Sequence, residues 1–237
     1  MAFNVRKLTQ CDYLTSVWSG GTTTQLAIFP PDAVYAHRDF LWRVSSATVD
    51  LEESDFTPLP DYERLIATLE GDITLTHKGG APITLQPFRV HGFSGGDATH
   101  SVGRCRDFNL MLRRGRATGS VEPIFLTGTP ISLPVEAAET VLLYCAEGFC
   151  TGTACSAGNL PAVHPAASDG APVCAAAEVS PACHSERSEA ESKNPSTPVS
   201  LRAGETLLLT ALADLTLTGQ AKLMLCRIRA HEKPTKT

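Results

Sequence analysis

The sequence predicts an all-β protein built as two barrels. Helix signals are scarce, whereas short β-branched runs separated by Gly and Pro recur along the 237 residues. Strands are predicted at residues 3–8, 23–29, 41–49, 64–69, 73–77, 83–86, 108–113, 123–127, 141–146, 206–210, 215–218 and 222–229. Many short strands of this kind are typical of sandwiches and barrels.

The strands divide into an N-terminal barrel, residues 1–120, and a C-terminal barrel, residues 121–237. An insert at about 151–199 interrupts the second barrel and is dominated by Ala, Ser, Pro, Glu and Gly. Such a composition cannot bury enough apolar surface to offset its conformational entropy, so we expect a disordered loop. Two halves of this kind suggest a duplicated unit.

A tight connection is predicted within residues 63–72, where two apolar-rich strands meet at Glu70-Gly71-Asp72. Gly71 supplies the positive φ that such a turn needs, because glycine has no Cβ to clash there. The sequence therefore places one strand before Gly71 and another after it.

Composition and charge exclude several classes of protein. A net charge of −5 and a pI near 5.8 give no basic footprint for nucleic acid. No apolar run approaches the roughly 18 residues that a membrane helix needs. The N-terminus lacks the apolar stretch of a secretory signal, so we expect a cytoplasmic protein whose eight cysteines are reduced thiols.

The sequence contains no motif typical of a metal site or of a catalytic nucleophile. No cysteine pair has Cys-x-x-Cys spacing, and no His-x-His pair would point two imidazoles one way. His77, His91 and His100 are scattered, and His91, near Asp97, is the best single metal candidate among them. No Gly-x-Ser-x-Gly elbow occurs. We therefore predict no metal, no cofactor and no catalytic residue.

Three predicted strands carry polar side chains where a core strand would be apolar. By strand alternation, Arg43 and Ser45 share one face, Asp107 and Asn109 share another, and Thr23 lies with Gln25 on a third. If these faces point into a barrel they would hold a carboxylate, since Arg offers a planar donor fork. If they point outward they form an ordinary surface.

A structural alternative stays open for the same residues. Arg43 could pair with Asp107 or Asp97 as a buried ion pair that only stabilises the fold. Likewise, Trp18 before Gly20 and Gly21 is either an aromatic wall beside accessible backbone amides or a core Trp before a bulge.

Several anchors in order resemble the HutD/Ves family of cupin-like proteins. They are Trp-Ser-Gly-Gly-Thr-Thr-Thr-Gln-Leu (18–26), Phe-Leu-Trp-Arg-Val-Ser-Ser-Ala-Thr-Val (40–49), Phe-Thr-Pro-Leu-Pro-Asp-Tyr-Glu-Arg (56–64), Leu-Glu-Gly-Asp (69–72), Gly-Phe-Ser-Gly-Gly-Asp (92–97) and Asp-Phe-Asn-Leu-Met (107–111). The resemblance covers about residues 15–115, and the C-terminal half matches only in its general plan.

The resemblance implies a double cupin with a ligand pocket in the N-terminal barrel and without the usual cupin metal ligands. It also implies a bacterial protein that binds a carboxylate from histidine breakdown, similar to N-formylglutamate, and that regulates histidine utilisation. The residues implied to bind the ligand are Trp18, Thr23, Gln25, Arg43, Ser45, Arg64, Asp97, Asp107 and Asn109. Many family members have an acidic residue where this chain has Gln25.

Three functions compete at this point. The first is a non-enzymatic protein that binds a small carboxylate metabolite. Neither nucleic acid nor a membrane is an expected partner, and a homodimer is compatible with this function. The second is a cupin-type isomerase or hydrolase that uses Asp97 or His91 as a proton carrier. The third is a purely structural role, with the polar faces outside the barrel.

Overall fold

In a computed structural model, the described residues fold mainly into β-strands. The structure describes residues 4–155, 198–210 and 213–231. Two short 3-10 turns, Gln10–Asp12 and Tyr35–His37, are the helical elements of these residues. The strands are β1 (Asn4–Leu8), β2 (Leu14–Trp18), β3 (Gly21–Phe29), β4 (Trp42–Val49), β5 (Glu53–Asp55), β6 (Tyr62–Glu70), β7 (Ile73–His77), β8 (Ile83–Leu85), β9 (His91–Ser94), β10 (Thr99–Val102), β11 (Cys105–Arg113), β12 (Ala117–Thr127), β13 (Ile131–Val135), β14 (Thr140–Cys155), β15 (Val199–Arg202), β16 (Thr206–Thr210) and β17 (Ala213–Ala230).

The N-terminal half consists of two antiparallel sheets. Six strands form one sheet in the order β2-β3-β4-β11-β6-β9, and four strands form the other in the order β5-β10-β7-β8. Ile66 and Phe93 of the first sheet pack on Ile73, Leu75 and Leu85 of the second. This apolar cluster closes one part of the space between the sheets.

The C-terminal half is one seven-stranded sheet built around two long strands. β14 and β17 pair along almost their whole length, with a register shift between Cys145 and Glu147. The early part of β14 pairs with β16, and its later part pairs with β15. β12 and β13 both pair with β17. Apolar side chains of these strands, most of them leucines, form a separate C-terminal core.

The first strand of the chain belongs to the C-terminal sheet. β1 runs antiparallel to β16, with Val5 opposite Leu209. Val5 is buried and packs within the C-terminal core. The N-terminal barrel as the structure shows it therefore starts at β2, whereas the sequence places residues 3–8 in the first half.

The six-stranded sheet has two faces of opposite character. Trp42, Val44, Phe108 and Leu110 point to one side and pack on β14 and β17, including Met224. This apolar cluster joins the two halves. Because side chains alternate along a strand, the neighbouring residues point the other way, into the space between the two N-terminal sheets.

Gly71 has φ +74°, as the sequence predicts for the connection after Glu70. β6 and β7 nevertheless do not pair, since β6 lies in the six-stranded sheet and β7 in the four-stranded one. A Cβ at Gly71 would lie 2.4 Å from the backbone oxygen of Arg104. The turn is therefore a corner between sheets.

Most predicted strands are present, and the discrepancies are at short or bent elements. β2, β5, β9, β10, β13 and β15 are absent from the predicted set, because segments of three to five residues give little local signal. Residues 215–218 and 222–229, predicted as two strands, are one strand that continues through Gly219 with φ +137°. Pairing with β14 on one side keeps this strand continuous.

The predicted insert at 151–199 begins too early. Residues 151–155 continue β14 and pair with β15 and β17, and β15 already includes residue 199. The remainder of the insert lies outside the described residues. Among described cysteines, Cys105, Cys145, Cys150 and Cys226 are free thiols. Among the described residues, no helix has the length and hydropathy needed to cross a bilayer.

Placing a charge on β1 tests the strand's role in the C-terminal core. Val5→Asp should lower the free energy of unfolding by more than about 2 kcal/mol, because it buries an unpaired carboxylate. The matched control is Leu14→Asp on β2, where the side chain is 65% exposed and the cost should stay within about 0.5 kcal/mol. Denaturant unfolding measures both, and equal effects would contradict the assignment of β1.

Candidate functional site

A cavity of about 160 Å³ lies on the inner face of the six-stranded sheet. Comparable cavities of roughly 150 Å³ hold a molecule the size of benzene. Seven of the residues implied by the sequence line it, namely Trp18, Thr23, Arg43, Ser45, Arg64, Asp107 and Asn109. The other lining residues are Ser16, Tyr35, Ala47, Val49, Asp55, Phe56, Thr57 and Met111.

Strand register brings the polar groups together. Arg43 of β4 lies opposite Met111 of β11, which lies opposite Arg64 of β6. Ser45 lies opposite Asn109 in the same ladder. Directly opposed residues share a face of a sheet, so the alternation read from the sequence turns these groups toward one cavity. The polar faces point inward.

Arg43 is buried and is held by neutral partners. Its Nε donates to Gln25 Oε1 at 2.8 Å, and its Nη1 donates to Ser45 Oγ at 3.2 Å. The guanidinium carbon lies 4.3 Å from the ring centroid of Tyr35, which Arg38 covers at 3.8 Å. Burial lowers the pKa of Arg43 to about 10, so the side chain stays cationic at neutral pH.

Arg64 is buried, its side chain makes no hydrogen bond to any described residue, and its Nε atom is fully enclosed. The guanidinium lies 5.0 Å from the ring centroid of Phe56 and 5.1 Å from that of Phe93. Such cation–π contacts stabilise a cation without neutralising its charge. Burial lowers the pKa of Arg64, whereas the nearby Asp107 opposes the shift.

Asp107 is a buried carboxyl group without an ion-pair partner among the described residues. Its Oδ1 accepts a hydrogen bond from the Ala47 backbone N–H at 3.1 Å. Burial raises the pKa of Asp107 to about 7, and Arg64, the Ala47 N–H and Arg43 counteract part of this rise. The structure thus shows the inward polar set without the Arg43–Asp107 ion pair that the sequence left open.

Two further wall residues have buried polar atoms without a partner among the described residues. They are the indole Nε1 of Trp18 and the side-chain Oδ1 of Asn109. The Trp18 ring lies over Gly20, where a Cβ would come within 2.2 Å of it. Glycine at position 20 is therefore required for the indole to form the cavity wall. Both residues line the cavity, so a ligand that enters it lies beside an N–H donor and an amide oxygen that lack partners.

Two of the implied ligand-binding residues do not line the cavity. Gln25 acts on it indirectly, by accepting from Arg43. Asp97 lies apart and forms an ion pair of 2.7 Å with Lys78, whose contact lowers the pKa of the carboxyl group. The sequence grouped Asp97 with the others because it closes a matching segment, but the turn after β9 directs it elsewhere.

His77 and His91, scattered in sequence, meet in space. Their Nε2 atoms are 2.9 Å apart, and His77 Nδ1 lies 2.8 Å from Thr99 Oγ1. Thr99 gives its single hydroxyl proton to the Asp97 carbonyl, so His77 donates through Nδ1 and accepts through Nε2 from His91. Burial lowers the pKa of both imidazoles. Phe93 separates this pair from Arg64.

The sequence missed the lining residues that come from loops. Tyr35 lies in the second 3-10 turn, and Asp55, Phe56 and Thr57 lie at and after the end of β5. No alternation pattern marks such positions, although Phe56 and Thr57 belong to a matching segment. Asp55 and Thr57 are exposed and form the mouth of the cavity. Within the described ranges, no group of three or more His, Cys, Asp or Glu residues could hold a metal ion.

The fold and the cavity define a class of protein, a double-barrel β protein of the cupin type with a polar pocket in its N-terminal barrel. The model of the HutD family matches residues 10–171, more than half of the chain. The chain belongs to the HutD family. No curated protein matches the sequence closely enough to count as a relative.

Solved structures show the same fold at low sequence identity. A conserved protein of unknown function from Pseudomonas aeruginosa PAO1, PA5104, has a TM-score of 0.68 and 21% identity, over 96% of this chain and 99% of that one. HutD from Pseudomonas fluorescens SBW25 has a TM-score of 0.66 and 19% identity, over 96% and 100%. The Escherichia coli pirin YhhW has a TM-score of 0.60 and 9% identity, over 97% and 100%.

The buried carboxyl group predicts a particular pH dependence of stability. The pKa of Asp107 is about 7 in the folded protein and about 3.9 when unfolded, so the folded state binds more protons between these values. The free energy of unfolding should therefore fall by up to about 4 kcal/mol as the pH rises through this window. Asp107→Asn should remove that fall, since the amide does not ionise.

Denaturant unfolding between about pH 4 and pH 8 measures the difference between wild type and Asp107→Asn. The control is Asp72→Asn, which changes an exposed carboxylate. Parallel pH curves for wild type and Asp107→Asn would show that Asp107 is not perturbed by burial.

Proposed function

We propose that the N-terminal barrel binds a small organic acid through its carboxylate and acts without catalysis. The observation that carries this proposal is the pair of buried guanidiniums, Arg43 and Arg64, neither of which has an acidic partner within ion-pair distance among the described residues. A buried cation is costly unless an anion compensates it. A carboxylate ligand supplies that anion.

The charges of the cavity support an anionic ligand. With Asp107 ionised, two guanidiniums and one carboxylate leave a net charge of +1. With Asp107 protonated, the net charge is +2. The second acidic lining residue, Asp55, is exposed at the mouth, where water screens it. In both protonation states, the enclosed part of the cavity therefore attracts an anion.

The available donors suit a carboxylate and a second polar group. Arg64 has a complete donor fork, and the planar guanidinium matches a carboxylate with two parallel hydrogen bonds. Trp18 Nε1–H adds a donor at the wall. Asn109 can accept from an N–H or O–H of the ligand or, with its amide reversed, donate to a carbonyl. The ligand would thus carry an acid and at least one further polar group.

Membership of the HutD family supports the more specific part of the proposal. The expected ligand is an acid from histidine breakdown, similar to N-formylglutamate, and the expected role is regulation of histidine utilisation. An acid of this type carries carboxylates and an amide, which correspond to the guanidiniums and to Asn109. The exposed mouth at Asp55 and Thr57 leaves room for a chain longer than the enclosed volume alone holds.

The enzymatic alternative uses Asp97 or His91 as a proton carrier. Neither residue lines the cavity, since Asp97 pairs with Lys78 and His91 donates to His77. The binding function uses the residues that do line it, and we propose it for that reason.

Removing one guanidinium should weaken binding of the acid. Arg43→Gln and Arg64→Gln should each reduce affinity by at least about 30-fold, because truncating one partner of a buried charge pair costs about 2 kcal/mol or more. The control is Arg104→Gln, which removes an exposed guanidinium on the surface. Isothermal calorimetry with N-formyl-L-glutamate, glutarate and acetate measures these affinities.

Binding that all three arginine variants weaken equally would point to nonspecific attraction. No binding of any of these acids by folded wild-type protein would refute a carboxylate site in this barrel.

A further inference from the structure

Asp107 lies at the wall of the cavity, where it interacts electrostatically with a charged ligand. It lies on β11 between the strands that carry Arg43 and Arg64, and its side chain is almost fully buried. The Ala47 N–H fixes Oδ1, whereas no described residue donates to Oδ2. Asp107 lines the cavity, which places its carboxyl group beside any ligand that enters.

The charge balance of the cavity depends on the ligand and on Asp107 together. A monoanion neutralises the two guanidiniums when Asp107 remains ionised. A dianion neutralises them only when Asp107 is protonated, because otherwise three negative charges face two positive ones. In a poorly solvated cavity, an uncompensated charge raises the free energy more than protonation of the carboxyl group does. Protonation of Asp107 is therefore favoured when a dianion binds.

We propose that Asp107 is the residue that determines which ligand charge the cavity accepts, by taking up one proton when a dianionic acid binds and by remaining ionised beside a monoanion. This inference rests on the proposed function of the same cavity. No bond other than the O–H of the Asp107 carboxyl group forms, and the proton comes from solvent. A protonated Oδ2 then donates a hydrogen bond to the entering carboxylate.

Among the groups around the cavity, Asp107 is the one to which we assign the proton taken up with a dianion. The titratable and charged groups around it are Arg43 from β4, Arg64 from β6, Tyr35 from the second 3-10 turn, Asp55 from β5 and Cys105 from its own strand. Burial raises the pKa of Cys105 to about 12, and guanidiniums such as those of Arg43 and Arg64 remain protonated in proteins. The His77–His91 pair lies behind Phe93.

The test uses two acids of one skeleton, glutarate as the dianion and its monoamide, glutaramate, as the monoanion. Calorimetry in buffers of different ionisation enthalpy counts the protons taken up at about pH 8, one unit above the pKa of about 7. Wild type should take up close to one proton with glutarate and almost none with glutaramate. The affinity for glutarate should fall about tenfold per pH unit above pH 7.

Asp107→Asn isolates the group, since the amide keeps the size of the side chain and can still accept from Ala47. This variant should bind glutarate without proton uptake and with an affinity independent of pH, and at about pH 8 it should bind glutarate about tenfold more tightly than wild type. Thermal unfolding of the variant verifies that it is folded. Asp55→Asn serves as the control, because it removes the exposed carboxylate at the mouth and should leave the proton uptake unchanged.

The outcomes separate this inference from the proposed function. If wild type binds glutarate in an Arg43-dependent manner but takes up no proton, Asp107 does not set the ligand charge, although the carboxylate site stands. Uptake that persists in Asp107→Asn would likewise overturn the inference. If neither acid binds folded wild type, the carboxylate site itself is wrong, and the inference fails with it.

Discussion

Two buried positive charges without acidic partners are the constraint around which the N-terminal barrel is organised. Arg43 is held by the neutral Gln25 and Ser45, and Arg64 is held by aromatic rings alone. Neutral and aromatic contacts orient a guanidinium while leaving its charge uncompensated. A barrel that served only packing would replace both residues with hydrocarbon, which is often at least as stable as a buried charge.

Packing on the C-terminal half stabilises the sheet that carries the two buried arginines. The apolar face of the six-stranded sheet packs on β14 and β17, so part of the hydrophobic free energy that holds these strands comes from contact with the C-terminal half. The inner face is thereby free to carry polar side chains. A hydrogen bond crosses the same boundary, since Arg106 Nη1 donates to the Tyr144 hydroxyl at 3.4 Å. The C-terminal half therefore supports the strand that carries Asp107.

Strand alternation predicted most of the site, because its positions lie on regular strands. Arg43, Ser45, Asp107 and Asn109 could be sorted by parity alone, and the register of β4 on β11 then brought them together. Tyr35 could not be found this way, since a 3-10 turn has no period to read. Asp97 was grouped with the site through sequence proximity to other matching residues, and only the three-dimensional path of its turn separates it.

The pairing of β1 shows the same limit at the level of the fold. Its residues have ordinary strand character, and nothing local in them says which half they join, because the partner β16 lies some two hundred residues further along the chain. Local pattern determines which residues can form a strand and which face is polar. Long-range packing determines the partner, here the leucine-rich core that encloses Val5. A site whose residues share one sheet is therefore readable from sequence, whereas its loops and the boundary of its barrel are not.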